Sequence, residues 1–426
     1  MSIGDSDRVS TSTPPCGTSG RPEHPDISDA STTPSPDRFP LAALAIMALT
    51  GFVTLLTETL PAGLLPEMSA ELGRTPSQLG LTVTLFALGC VVSAVPLSRA
   101  TARLSRRTVL LGTIALFLVA NTATALLSWF PLLLAARFVA GMSAGLVWAI
   151  LPSYSRRIAP AGRQGLALSV ALSGGTFALA IGVPAGTALD QLAGWRLAFG
   201  IMSVIAVVLF LAAWRVLPDT PGSAAGVGSG IGAALRIPAV LAVLTVLAFV
   251  VVGHNTVYTY IAPVLAAWNA DGQRSLILTV FGVASVAGVF LTGRFLDRLL
   301  FPQLLTATGG VAIALLMLTL SGGALVPVQV GAVLWGLVFG GMASVIQTVA
   351  ATVAGTAADS AQALLVTAWN LSIAAGGALG GALLAGPGVD GVLVAGTLFA
   401  AVAFVVAAVF VTGRRRRFGP GYGGLL

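Results

Sequence analysis

Twelve times between residues 39 and 412 the chain runs through an apolar stretch, most of them reaching the ~20 residues a helix needs to cross ~30 Å of hydrocarbon. The runs fall at 40–66, 78–98, 108–128, 131–153, 165–189, 197–217, 237–260, 275–296, 303–323, 326–352, 362–385 and 390–412. Inside lipid every backbone N–H and C=O must be satisfied within the protein, and runs this long do so as α-helices. Composition points the same way: 56% of the residues are hydrophobic and 9% are charged, against about 25% charged in a soluble domain. No water-soluble fold of 426 residues would hide that much apolar surface. The bilayer has to be the solvent, and the 51 glycines suit helices that pack backbone to backbone.

Organisation follows from what lies between the runs. Residues 1–38 are half Ser, Thr and Pro, which cannot bury a core and reads as a disordered cytoplasmic tail. The tail lacks the apolar segment and small-residue cleavage site of a signal peptide. A six-helix bundle over 39–217 is then expected, followed by a polar, Gly-rich cytoplasmic linker at 218–236, a second six-helix bundle over 237–412 and a basic cytoplasmic tail at 413–426.

All 22 basic residues are Arg. The loops after even-numbered spans, with the C-terminal tail, hold fifteen: Arg99, Arg103, Arg106, Arg107, Arg156, Arg157, Arg163, Arg215, Arg236, Arg294, Arg298 and Arg414 to Arg417. The odd-numbered loops hold three, Arg74, Arg196 and Arg274. The positive-inside rule therefore predicts a multi-pass protein of the cell membrane with both termini in the cytoplasm. The same placement explains the net charge of +7 without nucleic acid as a partner. Cys16 and Cys90 sit in a polar tail and an apolar span, and His24 and His254 stand far apart. No metal site is expected from them.

The halves repeat. FALGCVVSAVPLSRATAR, starting at Phe86, and FGVASVAGVFLTGRFLDR, starting at Phe281, match at Phe, Val and both Arg with an offset of 195. That offset also carries Gly182 and Gly186 onto Gly377 and Gly381. The predicted fold is all-α: twelve transmembrane helices in two pseudo-symmetric bundles, with a substrate held where the halves meet.

Few charges enter the spans. Glu58 is the clear intramembrane acid, with Asp190 and Asp297 at span ends. A carboxylate in hydrocarbon costs about 2.5–3.5 kcal/mol on insertion scales, so Glu58 should face a cavity or a partner. Burial favours its neutral form and a nearby cation its charged form, so it is a candidate for proton coupling; a neutral, hydrogen-bonded packing residue is the alternative. Arg137 is the Arg well inside a span. Counted at 1.5 Å per residue, Glu58 and Arg137 both lie ~7 Å to the extracellular side of centre; an Arg reaching for the outer headgroups is the alternative.

His254, in GHNTVYTY, is a second candidate titrating group, a substrate contact or a hydrogen-bonded helix residue. The offset of 195 sets Glu58 opposite its neighbour Gly253. Tyr258 shares the His254 face at i, i+4. Thr54, Trp148, Asn255, Tyr258, Gln347 and Asn370 are candidate substrate contacts, the few polar or aromatic groups on apolar walls that a small-molecule pocket needs; Asn121 and Trp369 are of the same kind. The Gly pairs and runs at 174/175, 182/186 and 376–381 suit packing seams, and no phosphate-loop GK[ST] follows them.

These features resemble the major facilitator superfamily over about 39–412. Its loop signature between helices 2 and 3, G-x-L-[AS]-D-R-x-G-R-R, appears as SRATARLSRR. Arg103, Arg106 and Arg107 fit, whereas Ser98, Ala102 and Ser105 replace Gly, Asp and Gly. The second copy, GRFLDR, keeps Gly293, Asp297 and Arg298. The resemblance implies that this element latches the cytoplasmic side. ETLPAGLLPEMSAELG, RFVAGMSAGLVWA, GVPAGTALDQLAGWRLAF, TVYTYIAPVL and WNLSIAAGGALGG resemble the drug and sugar efflux branch of proton antiporters. GVPAG with Gly174, hence Gly182, Pro184 and Gly186, is similar to the antiporter motif of helix 5. The resemblance implies that helices 1, 4, 7 and 10 line the cavity and that Arg137 belongs to a proton-transfer motif.

The expectation is a secondary transporter that exports a small organic compound, a drug or antibiotic, in exchange for protons. A sugar or metabolite as cargo is the runner-up, and a non-transporting membrane sensor is a different class. No Ser/His/Asp set, HExxH motif or pair of acids lies in the spans, so no catalytic residues and no enzyme are expected. A proton gradient stands in place of a cofactor, the partners are the small-molecule substrate and the lipid bilayer, and the chain is expected to be a monomer.

Overall fold

The computed structural model describes residues 39–160, 162–222, 231–296 and 298–418. Asp297 and the tail at 1–38 lie outside the described residues. Twelve helical rods fill the described chain. The first half comprises α1 (Leu41–Leu72), α2 (Pro76–Val92, continuing to Ala100), α3 (Arg106–Leu126), α4 (Phe130–Ile158), α5 (Gln164–Ala193) and α6 (Trp195–Val216). The second comprises α7 (Pro238–Tyr258), α8 (Arg274–Phe295), α9 (Leu300–Leu320), α10 (Leu325–Ala357), α11 (Ala358–Ala385) and α12 (Val389–Phe418). Eleven are long and apolar enough to cross a bilayer alone. α2 reaches a crossing length only through a π-helical segment at Ser93–Leu97, which holds Pro96, and a last turn at Ser98–Ala100. α12 runs through Phe418, past the residue 412 at which the apolar run ends.

The helix ends obey local chemistry. Gly73 ends α1 in the left-handed conformation, φ 60°, with its N–H on the Ser69 carbonyl. Two residues on, Thr75 opens α2 with a capping box: its hydroxyl accepts from Gln78 N–H and its own N–H donates to Gln78 Oε1, both at 3.2 Å. Ser105 caps α3 in the same way through Thr108 N–H. The odd-loop Arg residues are fastened as well. Arg196 donates to Glu71 at 2.5 Å and to the Ala125 carbonyl at 2.7 Å, while Trp195 Nε1 donates to Glu71 at 2.6 Å. Arg74 lies over the Phe130 ring.

At the other end, the start of the linker is strapped to the first half. Tyr154 donates to the Pro218 carbonyl at 2.6 Å, Arg106 N–H to Thr220 at 3.0 Å, and Arg157 to Pro221 at 2.7 Å. Arg107 donates to the Trp214 carbonyl. Arg103, Gly293 and Arg298 are exposed.

Close backbone approach holds each half together. A Cβ on Gly174 of α5 would stand 1.7 Å from the Ala48 carbonyl of α1, and Gly182 and Gly186 continue that seam against Phe52 and Leu60. Pro184 follows a second π-helical segment, Ala178–Gly182, in α5. Such segments carry an extra residue per turn and free backbone carbonyls. Gly282 of α8 seats on this one, where a Cβ would meet the Leu179 carbonyl at 2.1 Å, so the bulge is a contact between the halves.

Candidate functional site

Three clusters of polar and aromatic residues lie inside the bundle. In the first half, Arg137, Gly141 and Gly145 of α4 share one face at i, i+4 and i+8. The two glycines let that face close on α2: a Cβ on Gly141 would stand 1.9 Å from the Phe86 carbonyl, and one on Gly145 2.6 Å from that of Cys90. The seam carries Arg137 inward with it. Its side chain is fully buried, its guanidinium lies 4.8 Å from the Phe86 ring and 5.8 Å from that of Phe199, and its Nε donates a long 3.4 Å bond to Thr82. Neither terminal nitrogen has a hydrogen-bond partner.

Glu58 supplies the opposite charge from α1. Thr50 and Thr54, two turns and one turn earlier on that face, spend their hydroxyls on the carbonyls of Ile46 and Thr50. Glu58 keeps 9% of its surface exposed, whereas Arg137 keeps none. The two feel one another's charge, yet no ion pair within 4 Å joins them among the described residues. Cys90 lies in the same field and is fully buried. Arg137 points into the protein, and no headgroup-reaching pose is seen.

The second half holds an aromatic cluster around His254. Its ring stacks on Phe339 at 3.6 Å between centroids and on Tyr258 at 5.1 Å, and Trp335 Nε1 donates to its Nδ1 at 3.0 Å. An Nδ1 that accepts leaves the ring proton on Nε2. Phe281 stands edge-on to Trp335 at 5.2 Å, and Trp369 extends the group beside Phe339 at 6.2 Å. A small pocket opens beside the cluster, lined by Tyr258, Phe281 and Trp335 with aliphatic residues of α8 to α10.

The remaining candidates are spread more widely. Thr54 is fully buried; Trp148 is half-buried and packs its ring edge against Gly51 and Gly175. Asn255 and Asn370 donate to carbonyls one turn back in their own helices, each at 3.0 Å. Gln347 is exposed and its backbone carbonyl accepts from Gln362. Asn121 bonds Thr57 across α3 and α1 at 3.2 Å.

The third cluster escaped the sequence reading. Arg274, taken there as a loop residue, is completely buried and donates to both Glu67 oxygens at 2.8 and 2.5 Å. Arg137 is therefore not the sole Arg sunk in the bundle, because α8 begins at Arg274 and docks that end against α1. The pair ties one half to the other at the odd-loop end, where Ser77 of α2 also donates to Gly381 of α11 at 2.6 Å. The signal was present in the residues: Glu67, Asp190 and Arg274 all lie within two turns of span ends on the same face of the membrane.

Comparison with known proteins places this architecture. A family model described as Major Facilitator Superfamily matches residues 47–358. The chain is 29% identical over 265 residues to a probable sugar efflux transporter of Helicobacter pylori strain P12, covering 62% of this chain and 68% of that one. It is 26% identical over 367 residues to a probable sugar efflux transporter of Pasteurella multocida strain Pm70, covering 86% and 91%. In fold it is similar to a bacterial homologue of the human lysosomal transporter Spinster, solved in an inward-facing and unoccupied conformation. That match has a TM-score of 0.63 at 17% identity and covers 90% of this chain and 98% of the other.

Proposed function

Because this chain belongs to the major facilitator superfamily, a family of membrane transporters, we propose that it exports a small organic compound in exchange for protons by alternating access. In this reading it is a monomeric secondary transporter of the cell membrane with no cofactor and no enzymatic step. Both termini lie in the cytoplasm, so the odd-loop end faces outside. The observation that carries the reading is the pairing in the first half. Glu58 and Arg137 are both buried and feel each other's charge, and two Arg137 nitrogens have no hydrogen-bond acceptor among the described residues.

Such a pair has two arrangements. With Glu58 ionised, the Arg137 charge is balanced across a short gap; with Glu58 protonated, the cation is released to other acceptors. Protonation from outside weakens the hold of Glu58 on Arg137 or on cargo and favours the return to the inward-facing state. Coupling needs only that the two faces of the membrane reach Glu58 in turn.

For the cargo, two relatives named as probable sugar efflux transporters move the sugar reading ahead of the drug reading. The aromatic cluster of His254, Tyr258, Phe281, Trp335 and Phe339 is packed ring on ring in this conformation, and in the alternating-access reading its faces meet the C–H side of a sugar once the halves part. We assign His254 to this wall, since its Nδ1 is already engaged by Trp335. A lipophilic drug is the second reading: the void beside the cluster is lined by apolar and aromatic groups, although it is only about the size of a water molecule in this conformation.

The test is transport by everted vesicles. Glu58→Gln inserts normally and loses export driven by a pH gradient; full proton coupling in that variant refutes the mechanism. Arg137→Ala loses coupling too, and wild-type export would reduce Arg137 to a packing residue. Parallel assays of sugar accumulation and of susceptibility to amphenicols separate the two cargoes.

A further inference from the structure

The cluster that ties the halves at the odd-loop end holds more acid than its cation balances. Glu67 of α1 takes both terminal nitrogens of Arg274. Asp190 of α5 stands on the other side, 3.6 Å from Arg274 Nη2, with its side chain fully buried. Neither Asp190 oxygen has a hydrogen-bond partner among the described residues. Asp271, at the turn before α8, approaches Arg274 Nε at 3.8 Å but is half-exposed. From α6, the charged residue at this end is Arg196, and it is already taken by Glu71 and the Ala125 carbonyl.

Three carboxyl groups therefore face one guanidinium, and the one that is fully buried is Asp190. A buried carboxylate left in that condition is strongly disfavoured, and two acids sharing a site do not both ionise readily. Asp190 and Glu67 both approach the same Arg274 Nη2, at 3.6 and 2.5 Å. A proton on Asp190 leaves the trio of Arg274, Glu67 and Asp190 neutral: one cation, one anion, one neutral acid.

We infer that Asp190 is a second proton-binding site, loaded when the halves close at the odd-loop end and emptied to solvent when they part there. The proton comes from outside water and returns to it, and no bond other than O–H forms or breaks. The inference rests on the alternating-access reading and adds to it a gate that answers to external pH. A group that holds its proton only in the closed form stabilises that form at low pH, and the stabilisation is lost as pH rises. Acid outside keeps the outer gate shut.

The test is double electron–electron resonance on the full chain in lipid nanodiscs, with spin labels on Ala70→Cys and Ala324→Cys. Both positions are exposed at the odd-loop end, one in each half. The background carries Cys16→Ser, Cys90→Ala and Glu58→Gln, so that Glu58 adds nothing to the response. The short distance should dominate at about pH 5.5 and give way to a longer one by about pH 8.5, with the ratio changing by at most about tenfold per pH unit for one proton. Asp190→Asn, fixed neutral, should hold the short distance throughout. Glu67→Gln frees Arg274 to pair with Asp190 and should flatten the response as well, which covers a poorly folding Asp190→Asn. Distances indifferent to pH in the parent, or a parent-like response in either variant, overturn the site. Failure here leaves Glu58 coupling standing, because that is read by flux and not by these labels.

Discussion

Removing Glu58 and removing Arg137 should have unequal costs, although the two form one unit. Arg137 has no exposed surface and two nitrogens without acceptors, so its charge is balanced chiefly by Glu58. Glu58→Leu leaves that cation uncompensated, and we expect a loss of about 3 kcal/mol, the low end of the ~3–5 kcal/mol range for stripping one partner from a buried pair. The low end applies because the two groups are more than 4 Å apart. Arg137→Met is different. It forfeits ring contacts to Phe86 and Phe199 worth roughly 0.5–2 kcal/mol each, but regains a desolvation penalty of several kcal/mol. Glu58, relieved of its cation, can neutralise itself by taking a proton. The net change should lie within about 1 kcal/mol, and the double variant should recover most of what Glu58→Leu loses. A difference of about 3 kcal/mol is roughly a 150-fold change in the folded-to-unfolded ratio. Thermal unfolding in detergent, followed by dye labelling of the buried Cys90 thiol in Cys16→Ser protein, reads it directly. Glu58→Leu melting with the wild type, or Arg137→Met melting as low as Glu58→Leu, would refute the reasoning.

Other substitutions test neighbouring parts of the structure. His254→Phe keeps the stack on Phe339 but leaves Trp335 Nε1 without its acceptor, a cost of about 1–3 kcal/mol. Cargo affinity should fall while proton coupling persists, and loss of coupling in a pH-jump flux assay would bring His254 into the proton path. Gly174→Leu drives a side chain into the Ala48 carbonyl and should cost more than about 1–3 kcal/mol, seen as loss of monodisperse protein on size exclusion. Tyr260→Phe removes the 2.7 Å bond to the Gly377 carbonyl and should lower the melting point by an amount matching about 1–2 kcal/mol.

Much of the architecture is legible in the sequence because hydropathy and helix length are set by the same bilayer. All twelve runs correspond to helices, each within several residues of the expected bounds. The seams of α5 and α11 were legible too from their glycines, which meet α1 in one case and α7 and α2 in the other, whereas Gly141 and Gly145 of α4 gave no such notice. Glu58 stood out because its neighbours are apolar. Arg274, Glu67 and Asp190 did not, because a charge near the end of an apolar run looks the same whether it faces headgroups or another helix. Only the docking of α8 against α1 and α5 separates the two cases. The same ambiguity affects the three Arg of the odd loops. Arg196 and Arg274 are held by Glu71 and Glu67, and Arg74 by the Phe130 ring, so each is kept by a contact despite the bias against cations on that side.

The strap of Tyr154, Arg106 and Arg157 on the carbonyls of Pro218, Thr220 and Pro221 changes how long the leash between the bundles really is. Chain up to Pro221 is thereby part of the first bundle, so the connection to the second is counted from beyond Pro221 and not from the end of α6. A single residue inserted between Pro218 and Pro221 would shift these carbonyls off their donors.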